Sequence, residues 1–406
     1  MGIAGEVAIV GTGTTSFGVL HDMGYLDLVA GSAHGAVTDA GLTMDAVDAA
    51  WLATAEPQTS GLIGDSGAAV AEALRFSPRP VTRVSNFCTS GMEAVRGAAL
   101  AVAAGEYDIV LAIGAEKMRD VTPKGSLVAK TAEGSHPTLA KGRTAPGQFA
   151  LLANRYLDTY GHTRDDLARV AIKNHRNAMS NPSAQFGSEL TMEQVIQAPI
   201  VAEPLGLYDC TPTTDGGAAV VLASRGWAEA NASHYALIEG VGLSVTGGYV
   251  SNFFEESGDY LGFASTREAA AQAYRQAGIT DPRSELDLVE CHDCFTITEI
   301  VNTEDLGLAE RGKGVELLRS GATAHDGEIP VNVSGGLQAC GHPVGATGVR
   351  MVVEIADQVT GRAGTRQVAG ATKGLAHTLG GPGVIACVMV IAASQTDHGT
   401  GDNKTA

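Results

Sequence analysis

Hydrophobic and polar positions along the chain alternate between two periods, one typical of buried strands and one typical of amphipathic helices. The apolar run that starts at Val7 predicts a first strand, and residues 25–41 predict a helix. Strands that alternate with helices favour mainly parallel sheets with helices packed on them. The further predicted elements are a strand at 49–54, a helix at 65–75, a strand at 81–85, a helix after Cys88, and strands at 108–114 and 218–223.

Two strand-to-helix junctions, far apart in the chain, have the same spacing. Cys88 stands three residues before Gly91, and His342 stands three residues before Gly345. Each glycine opens a helical run that is rich in small residues. The pattern therefore predicts a duplicated α/β unit, with a cysteine at one junction and a histidine at the equivalent position of the other.

The segments upstream of the junctions also correspond. Ala40-Gly-Leu-Thr and Ala277-Gly-Ile-Thr each end a predicted amphipathic helix. The repeat divides the chain into an N-terminal half, residues 1–230, and a C-terminal half, residues 231–395. From about 117 to 205 the periodicity loosens among prolines and polar residues, which predicts an insertion in the first half.

The insertion carries a cluster of positive charge, although the 406-residue chain has a formal net charge of −18. That net charge argues against an extended nucleic-acid surface, so an anionic ligand would need a locally basic pocket. Two interpretations stay open for the cluster, contact with phosphates and a solvated face with its own counter-charges. Its members are Lys124, Lys130, Lys141, Arg143, Arg155, Lys173 and Arg176.

The cysteines and the apolar runs indicate a cytoplasmic protein without a membrane anchor. Six cysteines without a signal peptide favour reduced thiols. The longest apolar run, 383–393, is too short for about 30 Å of hydrocarbon. The polar residues 396–406 predict a disordered tail.

Cys88 occupies a position suited to a reactive thiol. It follows a β-branched run and precedes a predicted helix. The unpaired amides of a first helical turn stabilise a thiolate, and such a position lowers a cysteine pKa from about 8.5 toward or below neutrality. We therefore expect a nucleophile here, with a buried structural cysteine as the alternative.

Four motifs in order give the chain a family resemblance. They are Asn-Phe-Cys-Thr-Ser-Gly at 86–91, His-Asp-Cys-Phe at 292–295, Gly-His-Pro-Val-Gly-Ala-Thr-Gly at 341–348 and Leu-Gly-Gly-Pro-Gly at 379–383. Together they resemble the thiolases over about residues 5–393, and His-Asp-Cys-Phe resembles the sterol-carrier-protein-type and archaeal-type members. The resemblance implies a thiolase fold, a layered αβαβα sandwich of two duplicated βαβαβαββ halves with an inserted loop domain.

The resemblance also implies a role for each catalytic residue. Cys88 would attack an acyl thioester, release coenzyme A and become an acyl-enzyme, a covalent step that divides one difficult reaction into two. His342 would assist Cys88 and contribute to an oxyanion hole, although a core histidine is the alternative. Cys294 would remove the α-proton in condensation, the role that the resemblance implies for the cysteine of His-Asp-Cys-Phe. The absence of the second cysteine that classical thiolases carry near the C-terminus strengthens this expectation.

Two oxyanion holes are implied in the same way. His292 would join His342 in stabilising the thioester enolate. The backbone N–H groups of Cys88 and Gly381 would form the second hole. Aligned donors of this kind are each worth about 2.7–4 kcal/mol in a transition state. Asp293 is expected to be structural.

Two weaker patterns point to other chemistry. Cys291-His-Asp-Cys294 has the spacing of redox and metal sites, but no second pair accompanies it. Gly11-Thr-Gly13 is an incomplete dinucleotide fingerprint, with Ser16 in place of the third glycine. We therefore expect neither a metal site nor a nicotinamide enzyme.

The expected function is an acyl-CoA C-acyltransferase of lipid metabolism that runs Claisen condensation or thiolysis by a ping-pong mechanism. Coenzyme A is a substrate and no cofactor is expected, and the resemblance implies a homodimer or homotetramer. Two alternatives remain, a subunit that depends on a small OB-fold and zinc-ribbon partner and a non-catalytic thiolase-like subunit. The partner-dependent version includes hydroxymethylglutaryl-CoA synthase channelling and steroid side-chain cleavage.

Acyl-chain length does not follow from the motifs. Residues 245–265 contain four aromatic side chains that would either complete an acyl pocket or serve as dimer or core contacts. They are Tyr249, Phe253, Phe254 and Tyr260.

Overall fold

The computed structural model describes residues 2–121, 144–246 and 260–394. Nine of its strands form one mixed sheet, in the order β3-β2-β4-β7-β1-β8-β11-β10-β9. The strands are β1 Val7–Thr14, β2 Ala49–Ala53, β3 Val81–Val84, β4 Ile109–Glu116, β5 Ile200–Ala202, β6 Leu205–Gly206, β7 Gly216–Ser224, β8 Ala236–Val245, β9 Leu288–Glu290, β10 Lys373–Gly380 and β11 Ile385–Ala393.

The helices pack on both faces of this sheet and in the insertion. They are α1 Tyr25–Asp39, α2 Ala68–Leu74, α3 Ser90–Ala103, α4 Ala145–Tyr160, α5 Arg164–Ala178, α6 Met192–Gln197, α7 Arg225–Asn231, α8 Ala264–Ala277, α9 Pro282–Glu285, α10 Thr296–Asp305, α11 Gly314–Arg319 and α12 Val344–Val359. A π-helical turn spans Gly336–Cys340, and short 3₁₀ turns span Met44–Ala46, Pro57–Ser60, Ile63–Asp65, Leu207–Asp209 and Gly364–Arg366. None of the described helices is long and apolar enough to cross a membrane.

The sheet consists of two equivalent parts that meet at β1 and β8. Only two residue pairs, Ala8 with Leu237 and Ile9 with Ala236, join the parts. In the first part β2 runs parallel to β4, and in the second β9 runs parallel to β10. The last strand of each half, β7 or β11, then lies antiparallel between its two neighbours. The duplication predicted from the junctions is therefore visible in the strand order.

The prediction of mainly parallel sheets was wrong. Of the eight strand pairs in the large sheet, five are antiparallel and three are parallel. The physical reason is that β7 enters between β1 and β4, and β11 enters between β8 and β10, and each runs against both of its neighbours. Apolar runs alone do not encode strand direction, because a strand that is buried on both faces has the same composition in either direction.

Five layers are stacked through the molecule. Helix α1 packs outside the first part of the sheet, and α8 packs outside the second. Helices α3 and α12 lie between the two parts, where α12 contacts β4 and β7 on one side and β10 and β11 on the other. Helix α12 is accordingly buried around nearly its whole circumference. The implied αβαβα sandwich is confirmed.

Glycines let the two central helices touch backbone to backbone. A Cβ atom on Gly91 of α3 would lie 2.7 Å from the carbonyl oxygen of Gly345, at the start of α12. A Cβ atom on Gly348 would lie 2.3 Å from the backbone nitrogen of Met92. Both distances are shorter than real contacts, so only glycine fits. The crossing brings the N-terminal ends of both helices, and hence both junctions, to one place.

The described part of the insertion is helical rather than irregular. Helices α4, α5 and α6 follow one another there, and the last two begin with capping boxes, Thr163 with Asp166 and Thr191 with Gln194. The basic residues Lys124, Lys130, Lys141 and Arg143, the aromatic residues Tyr249, Phe253 and Phe254, and the tail at 396–406 lie outside the described residues.

The incomplete dinucleotide fingerprint has a packing explanation. Gly11 and Gly13 lie in β1, and a Cβ atom on either would come within 2.4 Å of the backbone of Ala36 in α1. The two glycines therefore allow α1 to lie directly on the strand, which accounts for them without a nucleotide.

Candidate active site

The loop that carries Cys88 is held by the first residues of its own helix. The hydroxyl of Ser90 donates to the carbonyl oxygen of Phe87 (2.5 Å) and accepts from the backbone N–H of Asn86 (2.7 Å). Thr89 donates to the carbonyl oxygen of Asn86 (2.5 Å). Phe87 has φ +50°, a left-handed conformation that is uncommon for a bulky residue. This tight turn presents the half-buried Cys88 thiol one residue before Thr89, the N-cap of α3.

His342 follows the π-helical turn and is oriented by α12. Gly341, with φ +109°, places the ring at the start of that helix. The ring Nδ1 lies 2.7 Å from the hydroxyl of Thr347, which itself donates to the carbonyl oxygen of Pro343 (3.0 Å). A hydroxyl has one hydrogen, so Thr347 accepts from Nδ1–H. Nε2 of the neutral ring is then the proton acceptor.

His292 and Cys294 follow β9 and are buried. The rings of His292 and His342 meet edge to face at 5.2 Å and 83°. Burial first, and then the neighbouring His342, hold the pKa of His292 well below its usual range, so its ring is neutral. Burial raises the pKa of the Cys294 thiol well above its usual range, with Cys88 as the next cause.

The four side chains predicted from the motifs belong to one site. One ligand-type atom from each of Cys88, His292 and His342 lies within 4.8 Å of the other two. Cys294 adjoins them, as its electrostatic coupling to Cys88 shows. A pocket of about 210 Å³ opens at Cys88. Its lining residues are Ala55, Glu56, Ser85, Asn86, Phe87, Cys88 and Val344.

The glycine-rich turn between β10 and β11 lies against the Cys88 loop. A Cβ atom on Gly380 would be 3.1 Å from the Cβ of Phe87. Gly381 follows with φ +58°. The backbone at 380–381 thus borders the nucleophile, where the resemblance expects the second oxyanion hole.

Glu116, which the sequence reasoning missed, ties the two junctions together. Its carboxyl accepts from the backbone N–H groups of Ala55 (2.8 Å), Glu56 (3.1 Å) and Gly345 (2.8 Å). Burial, followed by the nearby Glu56, raises the pKa of Glu116 to about 8 and outweighs the three amides. The sequence does contain a signal for this residue, because Glu116 is a charged residue at the end of the otherwise apolar strand β4.

Asp293 supports the turn that precedes His342. Its carboxyl accepts from the backbone N–H of Leu337 (2.6 Å) and from the side chain of Asn174 in α5 (2.8 Å). Burial and the neighbouring Glu299 raise its pKa to about 7. The carboxyl of Asp293 therefore links the turn before His342 to α5.

The segment 210–215, which we call the strap, joins the two C-terminal motifs. The backbone N–H of Thr211 donates to the carbonyl oxygen of Cys294 (3.1 Å), and its hydroxyl donates to the carbonyl oxygen of Leu337 (2.8 Å). The backbone N–H of His342 donates to the hydroxyl of Thr214 (3.0 Å). The sequence of the strap has no hydrophobic periodicity from which these contacts could be predicted.

Some predicted features lie elsewhere. Cys291 is fully buried against the side chain of Asn332, and among the described residues it joins no group with metal-site spacing. Lys173 is paired with Glu299 (3.0 Å) and Arg176 with Glu189 (3.3 Å), which favours the counter-charge interpretation for these two. Tyr260 donates to the carbonyl oxygen of Gln148 (3.0 Å), and Cys387 is buried in β11.

Comparison with known proteins agrees with this geometry. The family described as "Thiolase, N-terminal domain" matches residues 7–226, and "Thiolase C-terminal domain-like" matches residues 249–393. Acetyl-CoA acetyltransferase of Methanothermobacter thermautotrophicus is 38% identical over 95% of this chain and 99% of its own. Human sterol carrier protein 2 is 32% identical over 95% of this chain and 71% of its own.

Two solved structures have the same fold. An Ltp2-ChsH2(DUF35) aldolase is 27% identical, with a TM-score of 0.83 over 97% of this chain and 100% of that one. Human mitochondrial 3-ketoacyl-CoA thiolase is 16% identical, with a TM-score of 0.74 over 97% and 100% of the two chains.

Proposed function

Because this chain belongs to the thiolase family and is a thiolase-type acyltransferase, we propose that it joins or cleaves acyl groups through an acyl-Cys88 intermediate in a ping-pong cycle. The observation that carries the proposal is the proximity of Cys88, His292 and His342 at the crossing of the two central helices. Coenzyme A enters as a thioester or thiol substrate.

The first half-reaction acylates Cys88. Nε2 of His342 takes the Cys88 proton while the sulfur attacks the acyl carbonyl carbon. The Nδ1–H group of His342 keeps its hydrogen bond to the hydroxyl of Thr347. The carbonyl oxygen gains charge and accepts from the backbone N–H groups of Cys88 and Gly381. The carbon–sulfur bond to coenzyme A breaks, and its thiolate takes the proton from His342. Acyl-Cys88 and free coenzyme A result, with no net change in protons.

The second half-reaction forms the carbon–carbon bond. Cys294 removes the α-proton of a second acyl-CoA, and the enolate oxygen lies against His292 and His342. Because burial keeps the Cys294 thiol neutral at rest, it first transfers its proton to Nε2 of His342, which the first half-reaction leaves neutral. The enolate carbon attacks acyl-Cys88, and the Cys88 thiolate that leaves recovers that proton. Thiolysis is the reverse sequence.

Intact-mass measurement tests the proposal. The purified chain is incubated with acetyl-CoA and longer acyl-CoAs beside Cys88→Ala and Cys387→Ala, the latter a buried thiol in β11. An acyl-sized increase is expected in the wild type and in Cys387→Ala and not in Cys88→Ala. The donor that acylates fastest identifies the chain length. An adduct that persists in Cys88→Ala, or none from any donor, contradicts the proposal.

A partner-dependent form is the second candidate. It is favoured by the likeness to the Ltp2-ChsH2(DUF35) aldolase, a protein whose name includes a second component. Turnover by the isolated chain would remove the need for a small OB-fold partner. Turnover that begins only when such a partner is added would establish it.

We also propose a homo-oligomer in the cytoplasm. In the described part of the chain, β3 pairs only with β2, so one side of this edge strand has unpaired backbone groups. An edge of this kind is a template for a second copy. Light scattering during gel filtration distinguishes monomer, dimer and tetramer, and fractionation of the source cells tests the compartment.

A further inference from the structure

The catalytic group has the composition of a zinc site with three protein ligands. Such sites use cysteine sulfur and histidine nitrogen and leave a fourth position to water. Cys88, His292 and His342 supply that donor set, with ligand-type atoms within 4.8 Å of one another. They are the only such group among the described residues. We propose that these three residues form a reversible, inhibitory Zn²⁺ site that competes with acylation of Cys88.

The distances require only a small adjustment. Zinc bonds of about 2.0–2.3 Å place tetrahedral ligand atoms roughly 3.3–3.8 Å apart. The group must therefore contract by about 1 Å at its widest. Cys88 is half-buried, and its sulfur can move by rotation of χ1, whereas both imidazoles are held by their surroundings.

His342 has the orientation of a metal-binding histidine. A ligating imidazole usually donates its other ring N–H to a fixed acceptor, which sets the tautomer. The Nδ1–H of His342 donates to Thr347, whose hydroxyl is fixed in turn by the carbonyl oxygen of Pro343. Nε2 is thus the ring nitrogen that carries the lone pair with which a metal would bond.

His292 provides an independent observation. Its ring is 1% exposed, and Nδ1 is buried without a hydrogen-bond partner in the described residues. A buried polar atom without a partner is destabilising, and a ligand bonded to this nitrogen would remove that cost.

The binding step is balanced and explains the inhibition. Cys88 loses its thiol proton to solvent, one sulfur–zinc bond and two nitrogen–zinc bonds form, and the hydrated Zn²⁺ releases all of its waters except the one that keeps the fourth position. The sulfur lone pair that would attack a thioester is then committed to the metal. Zn²⁺ has no redox chemistry, so a chelator restores the free thiol.

Co²⁺ is the probe, because its absorption reports thiolate ligation without any turnover assay. The whole chain, first treated with chelator, is titrated with Co²⁺. We expect one equivalent to give a thiolate-to-cobalt charge-transfer band, which Zn²⁺ bleaches. Cys88→Ser should lose the band, and Cys387→Ser should keep it. Thr347→Val should weaken Co²⁺ affinity by about tenfold, the usual lower effect of removing such an orienting partner.

Two further measurements keep the test decisive. Wild-type protein whose Cys88 has been alkylated with iodoacetamide needs no variant and should also lack the band. Zn²⁺ should slow formation of the acyl-enzyme, and chelator should restore it. A band that survives in both Cys88→Ser and alkylated protein, or no band at all, overturns the proposal.

This inference depends on the proposed function only for its inhibitory role. Acylation without a cobalt band would reject the zinc site and leave the proposed function intact. A cobalt band in a chain that no donor acylates would reject the proposed function and keep the metal site.

Discussion

The two junctions occupy equivalent positions in the duplicated fold, yet they are held in different ways. The Cys88 turn is fixed by Ser90 and Thr89, which belong to the same few residues of chain. The His342 turn is fixed by groups distant in sequence, including Thr214 of the strap and Glu116 of the other half. The nucleophile is thus held by local sequence, whereas the base, although Thr347 of its own helix orients its ring, also depends on the assembled protein.

This difference predicts which part of the site should be more sensitive to substitutions in the rest of the protein. A turn held by its own helix forms when that helix forms. A turn held from the strap, β4 and α5 needs all of these elements in place. We therefore expect substitutions remote from the site to disturb His342 more often than Cys88.

Removal of the base should have the largest effect. His342→Asn takes away the group that accepts the Cys88 proton, and general-base catalysis is typically worth about 10²–10⁴-fold. Rapid-quench mass spectrometry measures the rate of acyl-Cys88 formation. His234→Asn, at a half-buried histidine near Asp39, should acylate at the wild-type rate. Equal rates in His342→Asn and wild type would refute the assigned role.

Separation of the junctions should have the next largest effect. In Gly348→Ala the new methyl group would overlap the backbone of Met92, so the two helices must move apart. Overpacking of this kind costs about 1–3 kcal/mol, and acylation should fall with it. Urea denaturation measures the loss. Gly226→Ala in α7 is the control, since a Cβ atom there meets nothing within 4 Å and the exchange should stabilise that helix.

Removal of single hydrogen bonds should show that the Cys88 turn is held by neighbouring residues and the His342 turn by residues distant in sequence. Ser90→Ala and Thr214→Val should each cost about 0.5–1.5 kcal/mol. Hydrogen exchange with peptide resolution should show faster exchange near residues 85–92 in Ser90→Ala. In Thr214→Val the change should appear at 336–345 and spare the Cys88 turn. The same exchange pattern in both variants would show that the junctions are supported as one unit.

The smallest expected effect concerns Glu116 and pH. Its pKa rises from 4.5 in the unfolded chain to about 8 in the fold, because burial disfavours the carboxylate. A raised pKa contributes stability that is complete below the unfolded value and is lost as pH rises through the folded value. Wild type should therefore lose stability relative to Glu116→Gln between about pH 5 and about pH 9. Urea unfolding across this range measures the difference, and a wild type that gains stability relative to Glu116→Gln as pH rises would contradict the sign.

The sequence predicted what is local and missed what is long-range. The equivalence of Cys88 and His342 follows from spacing within two short segments, and the structure contains the layers that the motifs implied. Thr214 contacts His342 across 128 positions, and Glu116 contacts Gly345 across 229. Such pairs leave no periodic signal in a single chain.

Two other misses have different causes. The antiparallel placement of β7 and β11 depends on topology, which hydrophobic patterning does not encode. The helices α5 and α6 of the insertion were readable, because Thr163 with Asp166 and Thr191 with Gln194 have capping-box spacing. The prolines in the same segment indicate turns and favoured a loop interpretation over these helices.

The glycine crossing sets a rule for building chimeras. Gly91 and Gly348 belong to opposite halves, and each meets the other half's backbone rather than a side chain. A first half grafted onto the second half of a relative would not need matching side chains at this seam, but it would need glycine on both sides. In a library of such chimeras, the residues at these two positions should therefore decide which chains fold. Differences in the rest of the interface should matter only among the chains that have glycine at both.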